Sequence, residues 1–105
     1  MTTLPGADTG TVTVVEFVRF RSFPGQQAAL RAARTAALDS LQRIMGFRAA
    51  YLVALDRDEW LDVTVWDTPS PPPDWRDRVV EYTNLMSEVL GEESGILIDE
   101  ARPGT

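Results

Sequence analysis

The chain has 105 residues, 44% of them hydrophobic and 25% charged, which suits one soluble globular domain with a modest core. Its formal net charge of −6 argues against nucleic acid or an anionic membrane surface as partners, because both need a basic face. With no cysteine and no histidine, disulfides, thiol nucleophiles, haem ligation and the usual zinc ligands fall away. Neither a cofactor nor a metal is expected. Chemistry in this chain must rest on carboxylates, Tyr, Trp, Asn, Arg or the reactivity of a bound molecule.

Residues 1–11 carry neither a basic start nor an apolar stretch, so they read as a disordered leader rather than a signal peptide. No run approaches the roughly 20 apolar residues of a membrane span. The cytoplasm is the expected location. One domain is expected over 12–100, followed by a tail at 101–105.

Val12 to Phe20 predicts the first strand, rich in β-branched and aromatic residues. Both of its alternating sets are mostly apolar, which predicts burial on both faces. Glu16 is the discordant member. As a buried carboxylate it could act as a base or meet a substrate; the favoured alternative is that it pairs with Arg19, Arg48 or another cation, or lies at the dimer edge. After the Phe23-Pro24-Gly25 break, Leu30, Ala33, Ala37, Leu41 and Ile44 recur at helical spacing, predicting a helix over 26–44 that Gly46 stops. Arg31, Arg34, Asp39, Gln42 and Arg43 are assigned mainly outside that stripe.

Arg48 to Leu55 predicts a second strand, 56–59 a hairpin, and Trp60 to Trp66 a third strand. The third strand divides into Leu61, Val63 and Val65 on one face and Trp60, Asp62, Thr64 and Trp66 on the other. Asp67 to Asp74 holds four of the seven prolines and predicts a stiff connector. Asp74 is a candidate N-cap for a second helix running to about Leu90, with Trp75, Val79, Tyr82, Met86 and Val89 as its stripe and Gly91 as its stop. Ile96 to Glu100 predicts a short fourth strand.

The order strand, helix, strand, strand, helix, strand, with right-handed crossovers, predicts an α+β ferredoxin-like sheet of four antiparallel strands with both helices on one face. Its other face would be apolar and bare, which predicts a homodimer packed sheet to sheet.

Polar groups flanked by large aromatics describe a planar-ligand site as well as a core with satisfied polar tips. Asp62 and Thr64 between Trp60 and Trp66, with Tyr82 on the second helix, fit either description. Asn84 falls off the stripe and is expected at the surface. The arginines look scattered, and no glycine-rich phosphate loop is present.

The stretch Leu61-Asp62-Val63-Thr64-Val65-Trp66-Asp67 resembles the antibiotic biosynthesis monooxygenase family of dimeric α+β barrels. Met45-Gly46-Phe47 is similar to that family's Pro-Gly-Phe, and element order resembles it over roughly 12–100. The resemblance implies a cofactor-independent monooxygenase acting on a small aromatic or polyketide-like compound. It makes Trp66 an aromatic wall, Asp62 a base or hydrogen-bond partner and Tyr82 a donor, with Trp60, Thr64 and Glu16 lining the substrate site. Oxygenases of the family place an Asn where Asp62 stands. That departure keeps open a non-catalytic small-molecule-binding or interaction domain, or a non-oxidative cyclase or isomerase. The family's tyrosine shortly after the Trp has no clear counterpart, Trp75 being the nearest aromatic. Its haem-degrading branch needs a histidine that this chain lacks.

Overall fold

A computed structural model describes residues 12–101; the expected leader, and the tail beyond Ala101, lie outside them. The elements run β1 (Val14–Ser22), α1 (Gln27–Leu41), β2 (Phe47–Asp56), β3 (Glu59–Trp66), a 3₁₀ turn (Trp75–Arg78), α2 (Val80–Thr83) and β4 (Met86–Ile96). The strands form one antiparallel sheet in the order β2-β3-β1-β4, with β1 and β3 central as the topology rules predict. This is the ferredoxin-like α+β arrangement. Among the described residues no helix is long and apolar enough to cross a membrane.

Register fixes what periodicity alone leaves open. Val18 pairs with Asp62 and Phe20 with Trp60, and paired residues share a face. Val18, Phe20, Ser22, Trp60, Asp62, Thr64 and Trp66 are all buried, together with Leu30, Ala37 and Leu41 of α1 and Trp75, Val79 and Tyr82 of the second helical segment. That is the helix-covered face. Phe17, Leu61, Val63 and Val65 point the other way with Tyr51, Val53 and Leu55 of β2, and among the described residues this face stays half-buried to exposed: Tyr51 is 58% exposed and Leu55 47%.

Gly46 turns the chain from α1 towards β2 at φ +89°, where a side chain would be strained. A Cβ there would also lie 2.8 Å from Thr68 Cγ2. The turn thereby seats against the end of β3, where the Asp67 N–H donates to the Gly46 carbonyl at 2.7 Å.

The second half of the chain departs from the expected helix to Leu90. Helix stops at Thr83, and Met86 and Val89 belong to a strand that passes straight through Gly91. The expected strand at Ile96 to Glu100 is instead the end of this one, since β4 closes at Ile96. Backbone satisfaction explains the change. β1 is central, and a fourth strand starting at Ile96 would leave most of its outer N–H and C=O groups unpaired. Pairing from Ser22↔Met86 to Val14↔Ile96 runs the length of β1, with register shifts between Arg19 and Phe20 and between Arg21 and Ser22. The local sequence offers little resistance, because Val79, Val80, Thr83 and Asn84 are weak helix formers. Asp74 sits at the N-cap position without a capping hydrogen bond; its carboxylate lies 3.8 Å from Arg78 instead.

Candidate active site

β3 places the site because strand alternation sends every second side chain under the helices. Asp62 is the middle of that row and is 2% exposed. Tyr82, carried by α2, donates its hydroxyl proton to Asp62 Oδ2. Arg34 reaches the same oxygen from α1, with Nε 3.3 Å away. That contact is an ion pair rather than an aligned hydrogen bond, since Nε has no hydrogen-bond partner. The guanidinium also lies over the Tyr82 ring, 5.6 Å from its centroid, and the ring meets Phe20 edge-on at 6.1 Å. A carboxylate, a phenol and a guanidinium therefore converge from three elements.

Their electrostatics differ. Burial pushes the Asp62 carboxyl above the ordinary carboxylate value, against the opposing effects of Arg34, the Tyr82 hydrogen bond and Arg76. Burial, followed by the neighbouring Asp62 charge, pushes the Tyr82 phenol far above the ordinary tyrosine value. Tyr82 thus stays a neutral donor, while the Asp62 carboxyl has an enhanced hold on protons, the property a general base needs.

A second cluster adjoins the first. Trp66, wholly buried, meets Phe47 edge-on at 5.5 Å and Trp75 at 6.5 Å. Trp75 Nε1 donates to Glu16 Oε1 at 3.2 Å, and the Thr64 hydroxyl donates to the same oxygen at 3.3 Å. Glu16 therefore bonds neutral donors, contrary to the expected pairing with Arg19 or Arg48. Those two arginines are engaged elsewhere, Arg19 with Glu59 and Arg48 with Asp67 and Glu100. Trp60 lies at the other end of the row, where its Nε1 donates to the Ser22 hydroxyl at 3.0 Å. Asn84 is exposed, as expected.

Of the residues singled out by sequence, Asp62 and Tyr82 are in direct contact, while Trp66, Thr64 and Glu16 form the neighbouring cluster and Trp60 stands apart. The sequence reading missed Arg34, and its assignment outside the apolar stripe is corrected here: it is 8% exposed. The signal was spacing. Arg34 lies four residues after Leu30 and three before Ala37, on the buried stripe itself. Among the described residues no group of three or more metal-ligating side chains is placed to hold a metal ion.

A cleft borders the cluster. An open cleft of about 320 Å³ separates α1 at Ala33, Ala36 and Ala37 from Val79, Val80 and Tyr82. Tyr82, on that lining, is the hydrogen-bond partner of the buried Asp62. The segment over it is held by the Trp75–Glu16 and Tyr82–Asp62 hydrogen bonds and by the Arg76–Glu92 ion pair.

No protein-family model and no curated protein matches the chain. Solved structures do match it. An antibiotic biosynthesis monooxygenase, so named, from Chloroflexus aurantiacus superposes with a TM-score of 0.67 at 19% identity, over 88% of this chain and 99% of that one. The Nitrosomonas europaea protein NE2512, of unknown function, gives 0.66 at 16% identity over 90% and 97%. SnoaB from Streptomyces nogalater, a cofactor-independent oxygenase, gives 0.62 at 15% identity over 90% and 99%. At these identities the likeness establishes a shared fold over nearly the whole chain.

Proposed function

We propose that this chain is a cofactor-independent monooxygenase acting on a small aromatic or polyketide-like substrate. The observation that carries the proposal is the buried Asp62 carboxyl, with raised proton affinity, an internal donor and a cation beside it. It occupies the middle of the covered strand face in a fold shared with an oxygenase that needs no cofactor. Asp62 removes a proton from an acidic C–H of the substrate. Arg34 and the neutral Tyr82 hydroxyl steady the charge that develops. The substrate carbanion supplies the electrons that reduce oxygen; for a ring CH₂, one oxygen atom ends as the new carbonyl and the other leaves as water. Trp66 and Trp75 form the aromatic wall, and Thr64, Glu16 and Trp60 complete the lining. The Trp75–Thr83 segment must move aside, because Asp62 is closed off in the resting chain.

The bare sheet face belongs to the same proposal. Phe17, Tyr51, Val53 and Leu55 form an exposed apolar surface of the kind a second copy covers, so the working unit is a homodimer. Light scattering at micromolar concentration checks this, and a monomer would contradict it.

Oxygen uptake with an anthrone or a quinol as substrate tests the activity. Wild type should consume oxygen, and Asp62→Ala, which removes both the carboxylate and any amide substitute, should fall by about 100-fold or more, the usual scale of a lost general base. Unchanged uptake in Asp62→Ala would overturn the assignment of Asp62.

A second reading draws on the closed packing of Asp62, Trp66 and Tyr82, none more than 2% exposed. In that reading the polar cluster braces a non-catalytic binding domain, and aromatic ligands bind without oxygen uptake. Product formation under nitrogen would instead identify a cyclase or isomerase using the same Asp62 base.

A further inference from the structure

A groove of about 350 Å³ runs along the far side of α1 from the α1–α2 cleft, between that helix and the edge of the sheet. Arg31, Arg34 and Thr35 form its helix wall, and Leu52, Ala54 and Trp60 form the rest of its lining. Its charge is unlike that of the molecule. The chain has sixteen Asp and Glu against ten Lys and Arg, yet among the described residues this lining holds two arginines and no carboxylate. Spacing accounts for the convergence, because positions 31, 34 and 35 lie within one helical turn of each other.

The two arginines are prepared differently. Arg34 is buried, with its Nε held 3.3 Å from Asp62 Oδ2, and its side chain also lines the groove. Arg31 is exposed. The Thr35 hydroxyl donates its proton to the Arg31 carbonyl at 3.0 Å, so a ligand anion meets it only as an acceptor. Guanidinium groups match the planar two-oxygen geometry of a carboxylate. The Trp60 indole, with its N–H already satisfied by Ser22, offers an apolar surface to a ring.

We infer that this groove binds a small aromatic monocarboxylate, its carboxylate on Arg31 and Arg34 and its ring against Trp60, Leu52 and Ala54. The volume is at the low end for small-molecule sites and suits one or two fused rings. Arg34 joins this groove to the Asp62 cluster, so an anion bound here shares the cation that faces the proposed base. Occupancy of the groove does not require turnover.

The test is binding without oxygen, which separates it from the activity proposed above. Under nitrogen, the full-length chain is titrated with 2-naphthoate, with uncharged 2-naphthylmethanol and with inorganic phosphate. The readout is the ¹H–¹⁵N signals of the Trp60 indole and the Arg34 Nε–H. Saturable shifts of both with 2-naphthoate are expected, with affinity about tenfold weaker for 2-naphthylmethanol, reflecting the lost charge-assisted bonds. Arg31→Gln should weaken 2-naphthoate by about fivefold, the scale of an exposed charge contact. Ala54→Trp, a substitution at an exposed position of β2, should fill the groove and abolish binding. Equal affinity for the alcohol, competition by phosphate as strong as by 2-naphthoate, or unaltered binding in Arg31→Gln and Ala54→Trp would each overturn the inference. So would the absence of any shift.

Discussion

The two faces of the sheet reverse the usual division between polar and apolar. The helix-covered face carries Glu16, Ser22, Asp62 and Thr64 among its aromatics. The open face is aliphatic and aromatic along β2 and β3, where Tyr51, Val53, Leu55, Leu61, Val63 and Val65 lie side by side. A monomer shaped only for stability would do the opposite, since burying polar groups costs free energy and exposing apolar ones forgoes it. The contrast is what the proposed chemistry and the proposed homodimer would each require, polar groups held under the helices and an apolar face left to a second copy.

The largest effect should come from the aromatic end of the covered face. Trp66→Ala should destabilise the fold by about 4 kcal/mol, the cost of truncating a fully buried Trp. Chemical denaturation measures it. The matched change on the open face, Val63→Ala, should cost the monomer far less, so similar losses at the two positions would erase the contrast.

Next comes the ion pair. Arg34→Met should cost about 3 kcal/mol, because Asp62 is then buried without its cation. The double variant Arg34→Met with Asp62→Leu should recover much of that loss, and denaturation midpoints of the three chains would reveal it. Tyr82→Phe should cost less, about 1–2 kcal/mol, for one buried hydrogen bond. The smallest effect on folding belongs to Leu55→Glu, within about 0.5 kcal/mol in the monomer because the site is already exposed. Sedimentation should nonetheless show the dimer dissociating in this variant, and an intact dimer would remove the open face from the interface.

The fold was readable in sequence wherever one periodicity dominated. α1 is marked by Leu30, Ala37 and Leu41, and β3 by its two alternating sets. Which set of β3 faces the helices was not readable, because Leu61, Val63 and Val65 are as apolar as a core face should be. Residues 75–89 satisfy a helical stripe locally, while the need that overrides it, pairing for the outer edge of β1, comes from distant sequence. Within the site, Asp62 and Tyr82 were legible as polar tips on apolar faces. Arg34 was hidden by its residue type, although its spacing placed it inside. The partners of Glu16 were hidden because Thr64 is set by strand register and Trp75 arrives only after a proline-rich connector.

The proton affinity of Asp62 also sets a sign for pH dependence. Its carboxyl is raised in the folded chain, so the folded state keeps this proton to higher pH than the unfolded state does. Stability contributed by this group is therefore fully present below the ordinary value of 3.8 and is lost as pH rises through the raised value. Asp62→Asn removes that slope.

The most direct measurement is the ¹³C titration of the Asp62 carboxyl by NMR, in wild type and in Tyr82→Phe. A wild-type midpoint clearly above 3.8, rising further when the Tyr82 hydrogen bond is removed, is the predicted result. A wild-type midpoint at or below 3.8 would contradict it and leave Asp62 a structural anion held by Arg34.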